Sequence, residues 1–552
     1  LEISFPVDYF KKKPAMSCAC RVADKLSFAG DVLAQLYFRF CTFFFWFINL
    51  FIKKQCVPAP KNPLLLKSST EIRKLMRARQ LKSIDLIEAY ITRVEEVNPF
   101  INVMAYKNFE EALEQAKAAD KEISHLNDEQ LNELYENRPF FGMPFTCKDS
   151  MQVKGKPCTI GIYSRKEKNE PSPVTAAAVQ KMFDAGAILL GITTIPETCL
   201  WIETNTIAYG RTNNPYDTRR IVGGSSGGEG AIQGAAASLM GLGSDIGGSV
   251  RIPAFHNGVF GMISTPGLIP LDGHIPGTMP GSYKEQMGKI GPLTRFAEDL
   301  SMMNQVLSGG AISQEGKVSL KKMKVYYVEG ITHNQRMEPQ SQVTVESMKK
   351  AVRHFEGKYN ILAHAISLPE TKDLLNMYGV SLFEEGDPDF RCTLKDITKL
   401  SEPMNCWLEL LKSIFGLSQY SFPVMTLALA PWFSGFSNTE HKMLREKRDR
   451  FKKRIIELLG DDGVLFYPSW QTLPQYHWET VAKQTSFPHT GMINMLVLAA
   501  VQCPMGLTDG VPNGVQIITN QGNEKLLLDI AQEISNTFGG WVPPGDKTKK
   551  DL

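Results

Sequence analysis

The chain has no His-Glu-x-x-His run, no Cys-x-x-Cys pair and no histidine near cysteine at ligand spacing. Those spacings mark zinc sites, so a zinc hydrolase is disfavoured and neither metal nor other cofactor is expected. Charge of one sign is also missing. Lys and Arg number 61 against 58 Asp and Glu, a net +3 over 552 residues, with both signs interspersed. A nucleic-acid partner would need a concentrated basic face, and none is expected. The ten cysteines recur at no fixed spacing, which fits reduced thiols in a cytosol-facing protein rather than a disulfide frame. No internal repeat is present. What remains is an ordinary apolar content of 43%, enough for a large core.

The first 56 residues differ from the rest. Residues 36–52 are aromatic and apolar apart from Arg39 and Asn49, and Lys53 and Lys54 close the run. A bilayer span takes about 20 such residues. A membrane-anchoring helix is therefore expected, as a single span, with an interfacial helix or a hydrophobic hairpin lying in one leaflet as alternatives. A cleaved signal peptide fits less well, because the run starts far in and lacks a small-residue cleavage site. Cys18 and Cys20 beside it are candidates for palmitoylation, and the chain opens on Leu1 rather than Met, so upstream residues are expected.

A proline-broken linker, 57–67, leads to a body expected over 68–545 and a basic tail over 546–552. Ser68 and Glu71 form a capping box. Ser83 opens a second helix, with Ile84, Ile87, Ile91 and Val94 on one face. The polar stretch 120–137 reads as a surface excursion. Short apolar runs at 187–190, 463–467 and 514–518 read as strands buried on both faces. Their alternation with helical patterns predicts an α/β fold on a largely parallel sheet.

The chemistry concentrates in two glycine-rich runs and one lysine. Gly223-Gly224-Ser225-Ser226-Gly227-Gly228 precedes Gly243-Ser244-Asp245-Ile246-Gly247-Gly248-Ser249-Val250-Arg251, and Lys148 lies upstream. Glycine permits close backbone approach and positive φ. A serine after Ile246-Gly247-Gly248 is thus placed where several backbone N–H groups can converge, as in an oxyanion hole. Ser226 also fits a G-x-S-x-G elbow, but the polar, turn-prone residues 213–220 precede it rather than a strand. Tight turns or a phosphate loop remain for either run taken alone. His256 follows Ser249 closely, yet nothing in the sequence orients it. Lys148 serves as a base only if neutral, which burial achieves, and residues 142–147 before it are apolar. Asp149 beside it would favour the charged form, unless strand alternation sends it to the other face.

Gly142-Met143-Pro144, Lys148, the two glycine-serine runs and Gly291-Pro292, in this order, resemble the amidase signature family over roughly 61–545. The resemblance implies one large α/β domain with a mixed, mostly parallel sheet wrapped by helices. It implies Ser249 as nucleophile, Ser225 as relay through a cis Gly224–Ser225 bond and Lys148 as base. Backbone N–H groups of Ile246, Gly247, Gly248 and Ser249 would hold the oxyanion, supported by Gly224, Ser226, Asp245 and Arg251. Cys199, Leu200 and Trp201 match the family's acyl-pocket lining and, with Ser225, would contact substrate. Residues 499–504 depart from the family's usual glycine-proline pattern there.

The family includes bacterial amidases, transamidation subunits acting on charged tRNA, and fatty-acid amide hydrolases. The apolar amino-terminal run and the aromatic stretches 414–417, 422–425 and 431–436 favour a lipid amide substrate at a membrane. Similarity to the fatty-acid amide hydrolases extends to residues 460–464, 467–469 and 538–542. Small non-lipid amides or esters are the alternative, and a catalytically silent membrane scaffold a further one. A homodimer is left open. Lys549-Lys550-Asp551-Leu552 fits a Lys-Lys-x-x retrieval pattern. With the lysines that follow the apolar run, it predicts an endoplasmic-reticulum protein with a cytosolic catalytic domain.

Overall fold

The structure, a computed structural model, describes residues 18–312, 316, 318–329, 337–383, 390–395, 402–429, 437–483 and 487–546. The side chains of Cys18 and Cys20, the aromatic stretch 431–436 and the terminal Lys-Lys-x-x residues lie outside the described residues.

Eleven strands form one mixed sheet. In chain order they are β1 (Met104–Lys107), β2 (Pro144–Lys148), β3 (Ile188–Thr193), β4 (Met240–Asp245), β5 (Phe260–Ile263) and β6 (Lys289–Thr294). Then come β7 (Lys324–Tyr327), β8 (Ala363–Ala365), β9 (Gly463–Pro468), β10 (Ala499–Thr508) and β11 (Val511–Thr519). The spatial order is β1-β3-β2-β4-β6-β5-β10-β11-β9-β7-β8. Two parallel blocks, β3-β2-β4 and β9-β7-β8, flank an antiparallel centre. The apolar runs at 187–190, 463–467 and 514–518 fall on β3, β9 and β11, all buried along their length.

Successive strand side chains point to opposite faces, and the core divides accordingly. Leu465, Tyr467, Ala500 and Ile518 join one apolar cluster, whereas Val464, Phe466, Val501 and Ile517 join another with the Glu524–Phe538 helix. Ser68 caps the Ser69–Arg77 helix in the expected box with Glu71. Ser83 begins the Ser83–Ile101 helix, its hydroxyl donating to Gly142 O at 2.7 Å. The polar stretch 120–137 is more ordered than its composition suggests. It holds the end of the Phe109–His125 helix and the Asp128–Asn137 helix, which has its own capping box of Asn127 and Gln130.

The amino-terminal helix runs Cys18–Asn49. Its Val32–Asn49 portion is long and apolar enough to cross a membrane, and 17% of it is buried. The helix stops at Asn49, so residues 50–52 of the apolar run lie past its end. One stripe, with Phe38, Cys41 and Asn49, packs on the body. Tyr37 Oη donates to Ala482 O at 2.9 Å, Lys483 Nζ to Thr42 Oγ1 at 2.8 Å and Arg219 Nη1 to Asn49 O at 2.9 Å. The remaining circumference, including Leu33, Leu36, Phe40, Phe43 and Phe47, is exposed.

Candidate active site

The parallel strands β3, β2 and β4 end side by side at Thr193, Lys148 and Asp245. Ligands of such sheets bind beyond the carboxyl ends of the strands, and the sequence-predicted residues gather there. Lys148 is fully buried. Its Nζ lies 2.7 Å from Ser225 Oγ, 2.9 Å from Ser244 Oγ and 3.3 Å from Ser244 O. Burial holds the amine below its ordinary pKa, only partly opposed by Cys199, Asp245 and Glu229. Asp149 does turn away: its carboxylate accepts from Thr159 N at 2.8 Å and Gly161 N at 3.3 Å, and burial pushes it up to about 6.

The Gly224–Ser225 peptide is cis. A Cβ on Gly224 would stand 2.3 Å from Trp201 O, so glycine is needed for this approach. Ser225 and the part-exposed Ser249 line one cavity of 740 Å³, together with Cys199, Leu200, Asp245 and Ile246. A second, apolar cleft meets it at Ser249 and is walled by Trp201, Gly247, Leu382 and Phe487. Ser226 does not open onto either. It sits at the start of the Gly227–Gly234 helix, with its hydroxyl 3.3 Å from both Ser244 N and Ser244 O. That places it as a clasp on β4 rather than at an elbow. His256 is buried, with Nδ1 against Ile252 O, and burial holds it at about 4.

Asp245 and Arg251 organise the loop between them. Asp245 Oδ1 accepts from Gly248 N at 2.7 Å and Oδ2 from Val250 N at 3.0 Å, while Arg251 Nε donates to Oδ2 and Nη2 to Oδ1, both at 3.1 Å. Burial opposes the charge, yet the guanidinium and these donors hold the carboxyl at about 2. Tyr378 Oη donates to Ile246 O at 3.0 Å, and Thr490 Oγ1 to Gly247 O at 2.7 Å. In a trans peptide the C=O and the following N–H point oppositely, so these ties fix where the next amides face. Among the described residues the N–H groups of Ile246, Gly247 and Ser249 meet no acceptor. Gly248 departs from the expectation: its N–H is committed to Asp245, which leaves three of the four anticipated amides for an oxyanion.

Besides Thr490, four contributors escaped the sequence. Ser244 stands inside the quoted glycine run and touches Lys148. His274 Nε2 lies 2.8 Å from Ser244 Oγ. Glu229 accepts from Thr146 Oγ1 at 2.9 Å and Thr193 Oγ1 at 2.8 Å, and burial pushes it up to about 8. Tyr378 comes from a distant helix. Only Ser244 had a local signal, its place two residues before Ile246 in a strand-ending glycine run. No group of metal-ligating side chains occurs among the described residues.

A mixed-sheet α/β body whose glycine-rich loops gather serines about a buried lysine is that of a hydrolase acting on carbon–nitrogen amide bonds. The chain belongs to the amidase signature family, the Amidase family matching residues 85–528. It is 38% identical to fatty-acid amide hydrolase 2 of Homo sapiens over 492 residues, 88% of this chain and 91% of that protein. It is 35% identical to fatty-acid amide hydrolase 2-A of Danio rerio over 508 residues, 90% and 93% of the two chains. A solved fatty acid amide hydrolase superposes with a TM-score of 0.68 at 20% identity, covering 87% of this chain and 86% of that one, which establishes the shared fold.

Proposed function

We propose that the protein hydrolyses fatty-acid amides, primary amides or N-acylethanolamines, through an acyl-enzyme on Ser249. Neutral Lys148 takes the proton of Ser225 as Ser225 takes that of Ser249, and Ser249 Oγ attacks the amide carbonyl. The N–H groups of Ile246, Gly247 and Ser249 receive the oxyanion. Lys148 and Ser225 return the proton to the leaving amine, and water then releases the fatty acid from Ser249. The observation that carries this reading is a buried lysine 2.7 Å from the Oγ of Ser225, a serine that lines the same cavity as Ser249.

The acyl chain runs along the apolar cleft at Leu200, Trp201 and Phe487, and the amine occupies the larger cavity. Exposed apolar surface supports a lipid substrate met at a membrane. Trp407, Ile414, Phe415 and Leu417 are 70–76% exposed, as is much of the amino-terminal helix to a lesser degree. Pro423, Val424 and Met425, by contrast, are core residues. In this reading the helix anchors the protein to the endoplasmic-reticulum membrane, the body over 68–545 faces the cytosol, and the Lys-Lys-x-x tail retains it there.

A fluorophosphonate probe should label the wild-type protein, and Ser249→Ala should abolish both labelling and oleamide hydrolysis while preserving the fold. Labelling that survives Ser249→Ala but is lost in Ser226→Ala would overturn the assignment. Hydrolysis of short amides alone would leave a small-molecule amidase.

A further inference from the structure

Lys148 has a second hydroxyl partner that the proton relay leaves unused. Ser244 Oγ lies 2.9 Å from Lys148 Nζ and 2.8 Å from His274 Nε2, and His274 Nδ1 lies 3.1 Å from Pro276 O. A carbonyl oxygen only accepts, so Nδ1 carries the ring proton and Nε2 of the neutral ring is an acceptor. Burial, the largest cause, holds His274 below its ordinary value, so the ring is neutral near pH 7 even beside an uncharged Lys148. Ser244 therefore gives its proton to His274, and its oxygen is left to accept from Lys148.

The bookkeeping of a neutral amine completes the argument. It has two N–H groups and one lone pair. Ser244 Oγ and Ser244 O, at 2.9 and 3.3 Å, take the two N–H groups. The lone pair then remains for the hydroxyl proton of Ser225, the third group around Nζ. We propose that His274 is a positioning residue for hydrolysis: by accepting the Ser244 proton, it keeps the lone pair of Lys148 aimed at Ser225. The inference rests on Lys148 being the base. Without His274 the Ser244 hydroxyl would turn its proton onto the same lone pair and compete with Ser225. The other ionisable groups near Lys148 do not perform this task. Glu229 is held by Thr146 and Thr193, and Asp245 by Arg251, while the Cys199 thiol beside the Lys148 amine favours its charged form and touches neither Ser244 nor His274 in any hydrogen bond among the described residues.

The test compares His274→Leu with His274→Gln, using a long-chain acyl p-nitroanilide. His274→Leu should lower kcat about ten- to hundredfold with KM little changed, the range expected for one misdirected buried hydrogen bond. Its acid limb should move to lower pH, because a hydroxyl donating to the lone pair favours the neutral amine. His274→Gln, whose Oε1 can accept from Ser244, should restore most of kcat and return the limb. In a Ser244→Ala background, His274→Leu should have no further effect. Wild-type kcat and limb in His274→Leu would overturn the proposal. So would a loss with an unmoved limb that glutamine does not repair, since His274 would then only pack. Lys148→Met assayed in parallel separates the failures: if it is inactive while His274→Leu is normal, only the positioning role falls. Activity retained in Lys148→Met would remove the base reading itself.

Discussion

Replacing Lys148 by methionine removes the amine while nearly conserving its volume, and so isolates the chemistry from the packing. A general base contributes about 10²- to 10⁴-fold, which corresponds to about 3–5 kcal/mol of barrier. The Lys148→Met variant should lose that factor in kcat/KM against a long-chain acyl p-nitroanilide. Its residual rate should climb with pH as hydroxide replaces the missing base, whereas the wild type levels off once Lys148 is neutral. Stability should respond with a definite sign. Burial lowers the folded-state pKa below the ordinary lysine value of 10.5. Between the two values the unfolded chain binds more protons, so stability rises with pH across that window and is lost as pH falls. The methionine variant should lose this slope. Against it stands the Ser225 hydroxyl left without its partner, at a cost of about 1–3 kcal/mol. The assays are kcat/KM against pH and urea midpoints at several pH values. A variant whose rate still levels off near neutrality would refute the assignment and return the search to another titrating group.

Three other substitutions probe the surroundings. Gly248→Ala should abolish activity and destabilise by about 1–3 kcal/mol, since φ is +121° and a Cβ would stand 2.2 Å from Thr490 Oγ1; urea midpoints and labelling read both effects. Tyr378→Phe removes the donor to Ile246 O, so kcat should fall about tenfold with KM held, and steady-state kinetics check it. Lys483→Met removes the cation that sits between the buried Glu338 and Glu479 and releases Thr42, so it should destabilise by about 3–5 kcal/mol. Hydrogen exchange in the Cys18–Asn49 helix should quicken with it.

What was legible in the sequence was local. The loop from Gly243 to Arg251 closes on itself: Asp245 ties Gly248, Val250 and Arg251 within six residues, so its constituents stand together in the chain as they do in space. The strands at 187–190, 463–467 and 514–518 were legible because burial on both faces leaves an unbroken apolar run. The helix at 128–137 is announced only by its capping pair, Asn127 and Gln130, within an otherwise polar stretch. The antiparallel centre of the sheet has no counterpart in such runs, since pairing direction is set by connections. The remaining contributors are products of folding. Tyr378 and Thr490 reach the loop between Gly243 and Arg251 across sequence separations of 132 and 243 residues, each through a single hydroxyl to a backbone carbonyl. No residue pattern announces such a bond, because any hydroxyl at that point would serve. His274 is the sharper case. It is one of nine histidines and lies in an irregular loop with no catalytic motif around it, while His256, nearer to Ser249, was the histidine the sequence offered. Distance along the chain favoured His256; the structure spends that side chain on Ile252 O and brings His274 to Ser244 instead. A histidine's role is decided by which acceptor fixes its tautomer, and that acceptor, Pro276 O, exists only once the loop has folded.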